Sequence, residues 1–263
     1  MSDPRPIGIF DSGVGGLTVA RRLIEVFPRE SFLFLGDTAR LPYGTKSPET
    51  VRRYSLANVR FLLSRGVKFL IVACNTASAL ALPEIEAESD VPVVGVVLPG
   101  AEAAARIARR RVGIIATEAT IASGAYERAI RSHHPEIEVL SRACPLFVPL
   151  AEEGWTDNAV AAATAEAYLA PFRSEGIEAL VLGCTHYPLL KDVIARTLPG
   201  IPLVDSAAAA CDAIRPLLTP AGRNESETEY HVCVTDTAAR FERVAERFLG
   251  RPVGRLEHVE ITG

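Results

Sequence analysis

The chain has 263 residues, is 48% hydrophobic and 23% charged, and carries a formal net charge of -4, the profile of a globular protein with room for one large or two modest cores. Its Lys and Arg residues are scattered, which argues against the clustered basic face of a nucleic-acid partner. The longest uncharged run, 69–83, is short of the ~20 apolar residues of a membrane span, and no basic-then-apolar leader is visible.

In chain order, apolar runs near 6–10, 32–35, 67–73, 92–97, 112–116, 137–141, 177–183, 201–204 and 230–235 predict strands, with helical patterns between them. The first run, IGIFDSG, delivers Asp11 and Ser12 to a strand end and passes into GVGGLT. Gly13 and Gly15, with Asp37 after the next strand, resemble a nucleotide-binding loop. Thr18, however, stands where a third glycine belongs, and Asp11 would face a pyrophosphate with negative charge. The PYG at Pro42, Tyr43 and Gly44 reads as a turn. A helix is expected from Ser47 as cap and Pro48 in the first turn, through Val51, Tyr54, Ala57 and Phe61, to Gly66. FLIVACNT then sets Cys74, Asn75 and Thr76 at the end of a buried run.

The second half repeats this order. VGIIATE echoes IGIFDSG and brings Thr117, PLAEEG loosely echoes FLGDTA and brings Glu152, and ALVLGCTH echoes FLIVACNT and brings Cys184, Thr185 and His186. The echoes lie about 105 to 115 residues apart, far beyond a solenoid period. Strands alternating with helices predict two similar α/β halves with mainly parallel sheets and ligand chemistry beyond the carboxyl ends of the strands.

A cysteine at a strand end before a helix meets backbone N–H groups that lower a thiol pKa. A lone cysteine is more often a packed apolar residue, and Cys144, Cys211 and Cys233 keep that reading. Cys74 and Cys184 differ because matching positions in both halves carry a thiol followed by hydrogen-bonding side chains. Inverting a carbon stereocentre needs an acid and a base on opposite faces, a task that suits two facing thiols. Asp11 and His186 are candidate assistants for the two thiols, with an N-cap carboxylate and a helix-capping histidine as the plainer alternatives. Ser12, Asn75, Thr76, Thr117, Thr120 and Thr185 offer hydroxyl and amide groups for an amino acid's carboxylates, and Asp37 and Glu152 carboxylates for its ammonium. Helix caps use the same residue types. There is no C-x-x-C pair, and Cys184-Thr185-His186 has no second ligand pair downstream, so no metal site is expected. Five cysteines at irregular spacing suit a reducing cytoplasm. A non-catalytic protein clamping an amino acid between two lobes would explain the hydroxyl-rich rims but not the paired thiols.

Taken together, IGIFDSGVGGLTV, LGDTARLPYG, VACNTASA, TEATIASGAY, VPLAEEG and LGCTHYPLL resemble the glutamate racemase family of cofactor-independent racemases, over roughly residues 7–215. The aspartate racemases are neighbours separable by substrate. The resemblance implies two pseudo-symmetric α/β domains with the active site between them. Residues 1–97 and 208–263 would form the first domain, completed by the C-terminal segment, and 98–207 the second. It implies Cys74 as the base toward D-glutamate and Cys184 toward L-glutamate, assisted by Asp11 and His186, with Asp37 and Glu152 supplying charge. Ser12, Pro42, Tyr43, Gly44, Asn75, Thr76, Thr117, Thr120 and Thr185 match substrate contacts of the family. It further implies no cofactor, a homodimer, a cytoplasmic location, and supply of D-glutamate for peptidoglycan. The three lysines, Lys46, Lys68 and Lys191, leave a Schiff base open to a direct test. Leu41 and Ala119 depart from the commonest family pattern, and Glu152 and Glu153 compete for one role.

Overall fold

In the computed structural model, the described residues are 2–222, 228–236 and 241–261. Parts of the expected C-terminal segment, 223–227, 237–240 and 262–263, lie outside them.

Among the described residues, ten strands alternate with helices. The first sheet holds β1 (Ile7–Asp11), β2 (Phe32–Gly36), β3 (Phe69–Val72), β4 (Val93–Gly95), β9 (Tyr230–Val234) and β10 (Arg255–His258) in the order β10-β9-β2-β1-β3-β4. The second holds β5 (Arg111–Ala116), β6 (Glu138–Ala143), β7 (Ala179–Gly183) and β8 (Leu203–Asp205) in the order β6-β5-β7-β8. Every pairing in both sheets is parallel. The central strands are buried throughout, so they read as continuous apolar runs rather than as alternating ones.

The order 2-1-3-4 in the first sheet recurs as 6-5-7-8 in the second. In each, the chain leaves the central strand to one side and returns to the other, which makes a switch point between β1 and β3 and another between β5 and β7. Ligand sites of open α/β sheets lie at such points, because loops diverge there and leave a crevice. Cys74 follows β3 and Cys184 follows β7, so the sequence echo is a structural equivalence.

Ser47 caps α2 (Pro48–Ser64) by accepting from the Thr50 N–H at 3.3 Å, and Gly66 with φ of 71° lies just past its end. α3 (Asn75–Glu88) starts directly after Cys74, and α5 (Glu118–Ser123) starts after Thr117, whose hydroxyl accepts from the Thr120 N–H. α1 (Leu17–Val26) follows the glycine loop and packs against both α10 (Ser206–Ile214) and α11 (Phe241–Leu249). β10, a short charged strand, was not among the predicted strands.

Candidate active site

A cavity of about 180 Å³ lies between the carboxyl ends of the two sheets, and both Cys74 and Cys184 line it. That is below the ~300–1,000 Å³ of pockets that enclose drug-sized ligands, a scale that suits a small metabolite. Both thiols are nearly closed off, 6% and 5% exposed.

The two sulfurs have different company. Cys74 Sγ lies 3.5 Å from Ser12 Oγ. Burial pushes its thiol up to about 12, and the charge of Asp11 adds to the effect. The lowering expected from its place before a helix is therefore reversed at Cys74: loss of water and a neighbouring carboxylate outweigh the backbone N–H groups. Asp11 is itself buried, which raises its carboxyl pKa against the opposing charge of His186. Its Oδ2 accepts from the Gly13 N–H at 3.0 Å, while its Oδ1 is buried without a hydrogen-bond partner.

Cys184 Sγ faces His186 Nδ1 at 3.8 Å, and His186 Nε2 faces Glu152 Oε1 at 3.1 Å. Burial disfavours the imidazolium, but Cys184 and Glu152 prevail and push His186 up to about 10. Glu152, rather than Glu153, is thus the acid that meets the histidine. Its charge acts through His186, since it does not line the cavity. Two neighbours that no sequence motif singled out hold this pair. Phe248 meets the His186 ring edge-on at 5.1 Å, and the Arg247 Nη1 donates to the Glu152 carbonyl at 2.7 Å. Both sit on α11, in a part of the chain that offers an α/β pattern but no motif.

Asp37 departs from the expected role beside an ammonium. It is fully buried and turned inward, where its carboxylate pairs with Arg40 at 2.9 Å and accepts from the Tyr43 hydroxyl, Asn58 and Thr235. It reaches the cavity only through Tyr43, which lines it together with Pro42 and Gly44. Gly44 has a packing reason: a Cβ there would stand 2.8 Å from that of Thr117.

Ser12, Asn75, Thr76, Thr117 and Thr185 also line the cavity. Thr76 joins Thr117 at 3.0 Å and Thr120 at 3.1 Å, a hydroxyl cluster that bridges the two sheets' loops, with Thr120 behind the lining. The Asn75 amide donates to the Tyr126 hydroxyl at 2.8 Å, which leaves its buried Oδ1 unpartnered. Tyr126 sits buried on α6 (Ala125–His133), and no pattern in the sequence marks this contact. At Gly15 the loops approach closely: a Cβ there would lie 2.3 Å from Thr185 Oγ1 and 2.4 Å from His186 Cε1. Beside it the Thr18 hydroxyl donates to the Thr185 carbonyl at 2.9 Å.

Two sulfurs thus line one small cavity, each beside its own titratable neighbour, and the proteins this chain is similar to are isomerases. The chain belongs to the Asp/Glu/hydantoin racemase family, whose model matches residues 7–214. It is 53% identical to the glutamate racemase of Geobacter metallireducens over 98% of this chain and 97% of that one. Its fold is similar to the glutamate racemase of Francisella tularensis in complex with D-glutamate, with a TM-score of 0.93, 40% identity and 98% of both chains covered. It is also similar to that of Thermus thermophilus, with a TM-score of 0.89, 43% identity, and 99% and 98% of the two chains covered. Among the described residues, no helix is long and apolar enough to cross a membrane.

Proposed function

We propose that this protein interconverts L- and D-glutamate by proton transfer at Cα between Cys74 and Cys184. The observation that carries the reading is that the two thiols line one cavity from equivalent switch points of two similarly ordered sheets. In the L-to-D direction, Cys184 takes the Cα proton, with His186 and Glu152 balancing the charge on the sulfur. The resulting carbanion keeps its electron pair at Cα and the adjoining carboxylate. Cys74, held as a thiol by burial and by Asp11, then delivers a proton to the opposite face. The reverse direction exchanges the roles. Backbone N–H groups at the start of α3 and the hydroxyls of Ser12, Thr76, Thr117 and Thr185 would receive the substrate carboxylates.

The same reading takes D-glutamate supply for peptidoglycan as the biological role, in the cytoplasm and as a homodimer. It divides the chain at 1–97 with 208–263 and at 98–207, a division supported by β9 and β10 pairing into the first sheet.

The test is incubation of purified protein with L-glutamate or L-aspartate in D2O, no pyridoxal phosphate added. Loss of optical rotation with deuterium entering Cα, for glutamate far faster than for aspartate, is expected. Racemisation without deuterium would overturn the proton-transfer reading. Cys74→Ala and Cys184→Ala should each lower the rate by about 10²- to 10⁴-fold, the usual span for losing a positioned acid or base.

A further inference from the structure

Away from the cavity, β9 and β10 bring a nitrogen, a sulfur and an oxygen to one spot. His231 and Cys233 are two residues apart on β9 and so point to one face, and Cys233 stands opposite Glu257 in the β9–β10 register. His231 Nε2 lies 2.9 Å from Glu257 Oε2 and 3.8 Å from Cys233 Sγ, and the three donor atoms all fall within 4.8 Å of one another. They are the one such His/Cys/acid cluster among the described residues.

Glu257 divides its oxygens. Oε1 accepts from the Arg65 guanidinium at 2.7 Å, whereas the buried Oε2 lies 2.9 Å from the His231 imidazole nitrogen and 4.0 Å from Arg255 Nη2. An ion pair with Arg65 accounts for Oε1 alone. It leaves a buried carboxylate oxygen, an imidazole nitrogen and a buried thiol facing one another, a donor set that a cation would complete.

We propose that His231, Cys233 and Glu257 form a site for a divalent transition-metal ion of the zinc type, which ties β10 to β9. The donor set is the mixed N, S, O set that zinc accepts, and bond lengths of ~2.0–2.3 Å place tetrahedral ligand atoms ~3.3–3.8 Å apart, so the observed spacings need only small side-chain rotations. Arg65 fixes the carboxylate from outside, as outer partners of metal ligands do. The side chains of His231 and Glu257 are 16% and 29% exposed, which leaves a way in for the ion and room for a water as fourth ligand. The site does not depend on the racemase reading, because none of its residues lines the catalytic cavity.

The test is titration of the chelator-stripped full chain with Co2+ alone, followed by the thiolate-to-cobalt charge-transfer absorption, and with Zn2+ alone, followed by thermal unfolding. We expect a charge-transfer band saturating at one equivalent, absent in Cys233→Ser and at least 10-fold weaker in apparent affinity in His231→Gln and Glu257→Gln. Circular dichroism of the stripped variants should match the stripped wild type, and Zn2+ should raise the unfolding temperature of the wild type but not of His231→Gln. Because Cys74 and Cys184 are thiols too, the band must persist when both are replaced by serine. No band in the wild type, a band that survives in Cys233→Ser, or one that vanishes with Cys74 and Cys184 would each overturn the proposal.

Discussion

At the residue scale, the two thiols are handled by opposite electrostatics. Cys74 stands beside a carboxylate and Cys184 beside an imidazole held as a cation. Glu152→Gln removes one of the two groups that keep His186 protonated. It should bring the alkaline limb of the rate profile to lower pH while kcat/KM falls equally in both directions, since the enantiomers are equal in free energy. A pH profile whose alkaline limb does not move would place Glu152 outside the proton path. His186 also links pH to stability: its folded pKa of about 10 stands above the ordinary 6.5. The stabilisation is therefore complete below pH ~6.5 and lost as pH rises toward ~10, because the unfolded chain binds fewer protons in that window. Thermal unfolding of wild type and His186→Asn across pH 6 to 10 should show the gap between them closing as pH rises. The sequence made the two cysteines visible because they follow apolar runs at matching positions in both halves, whereas Glu152 lies within a helix over Phe147–Glu153, so its echo of Asp37, which follows a strand, is not a structural match. It could not tell that Asp37 turns inward, since a carboxylate after a strand has the same local pattern whether it meets a ligand or, as here, Arg40, Tyr43 and Asn58.

At the scale of elements, the loops after the strands do the positioning, and close approach is their common requirement. Gly15→Ala would drive a methyl group into Thr185 and His186. The loop of β1 and the loop of β7 would then separate, with activity expected to fall at least 10²-fold while circular dichroism stays unchanged, in line with the sensitivity of catalysis to ~1 Å shifts. Tyr126→Phe removes the closer of two acceptors for the Asn75 amide and leaves it Ser206 Oγ at 3.4 Å, which should cost about 0.5–1.5 kcal/mol of stability, measured by denaturant unfolding. All nine predicted strands correspond to strands of the structure; the fully buried ones are written as unbroken apolar runs, whereas EVLSRA at 138–143 has no buried residue and is only partly apolar. β10 escaped notice for the converse reason: RLEH at 255–258 is half charged and lies at a sheet edge, where one flank of the strand needs no apolar cover. The contacts of Phe248 and Arg247 were equally hidden, since an amphipathic helix shows which face is buried but not what that face touches.

At the scale of the whole molecule, the cavity exists only where two sheets meet, so its geometry is a property of their relative placement. The Thr76–Thr117–Thr120 cluster, the Thr18–Thr185 bond and the packing of α11 on His186 all cross that meeting. A ligand that fills the cavity touches both sides and should raise the unfolding temperature with concentration, as linkage requires. Glutamate should do so and leucine should not; equal shifts would mean that the cavity does not select the acidic side chain.

The placement of β9 and β10 beside β2 also sets a timetable. Strands β5 to β8 are continuous in the chain and can close their sheet on the ribosome as soon as they emerge, because domains fold as units during synthesis. The earlier sheet must wait, its β2 edge unpaired, until β9 has been translated. His186 gains its Phe248 wall only when α11 arrives, so that side of the cavity is finished after both cysteines have been made.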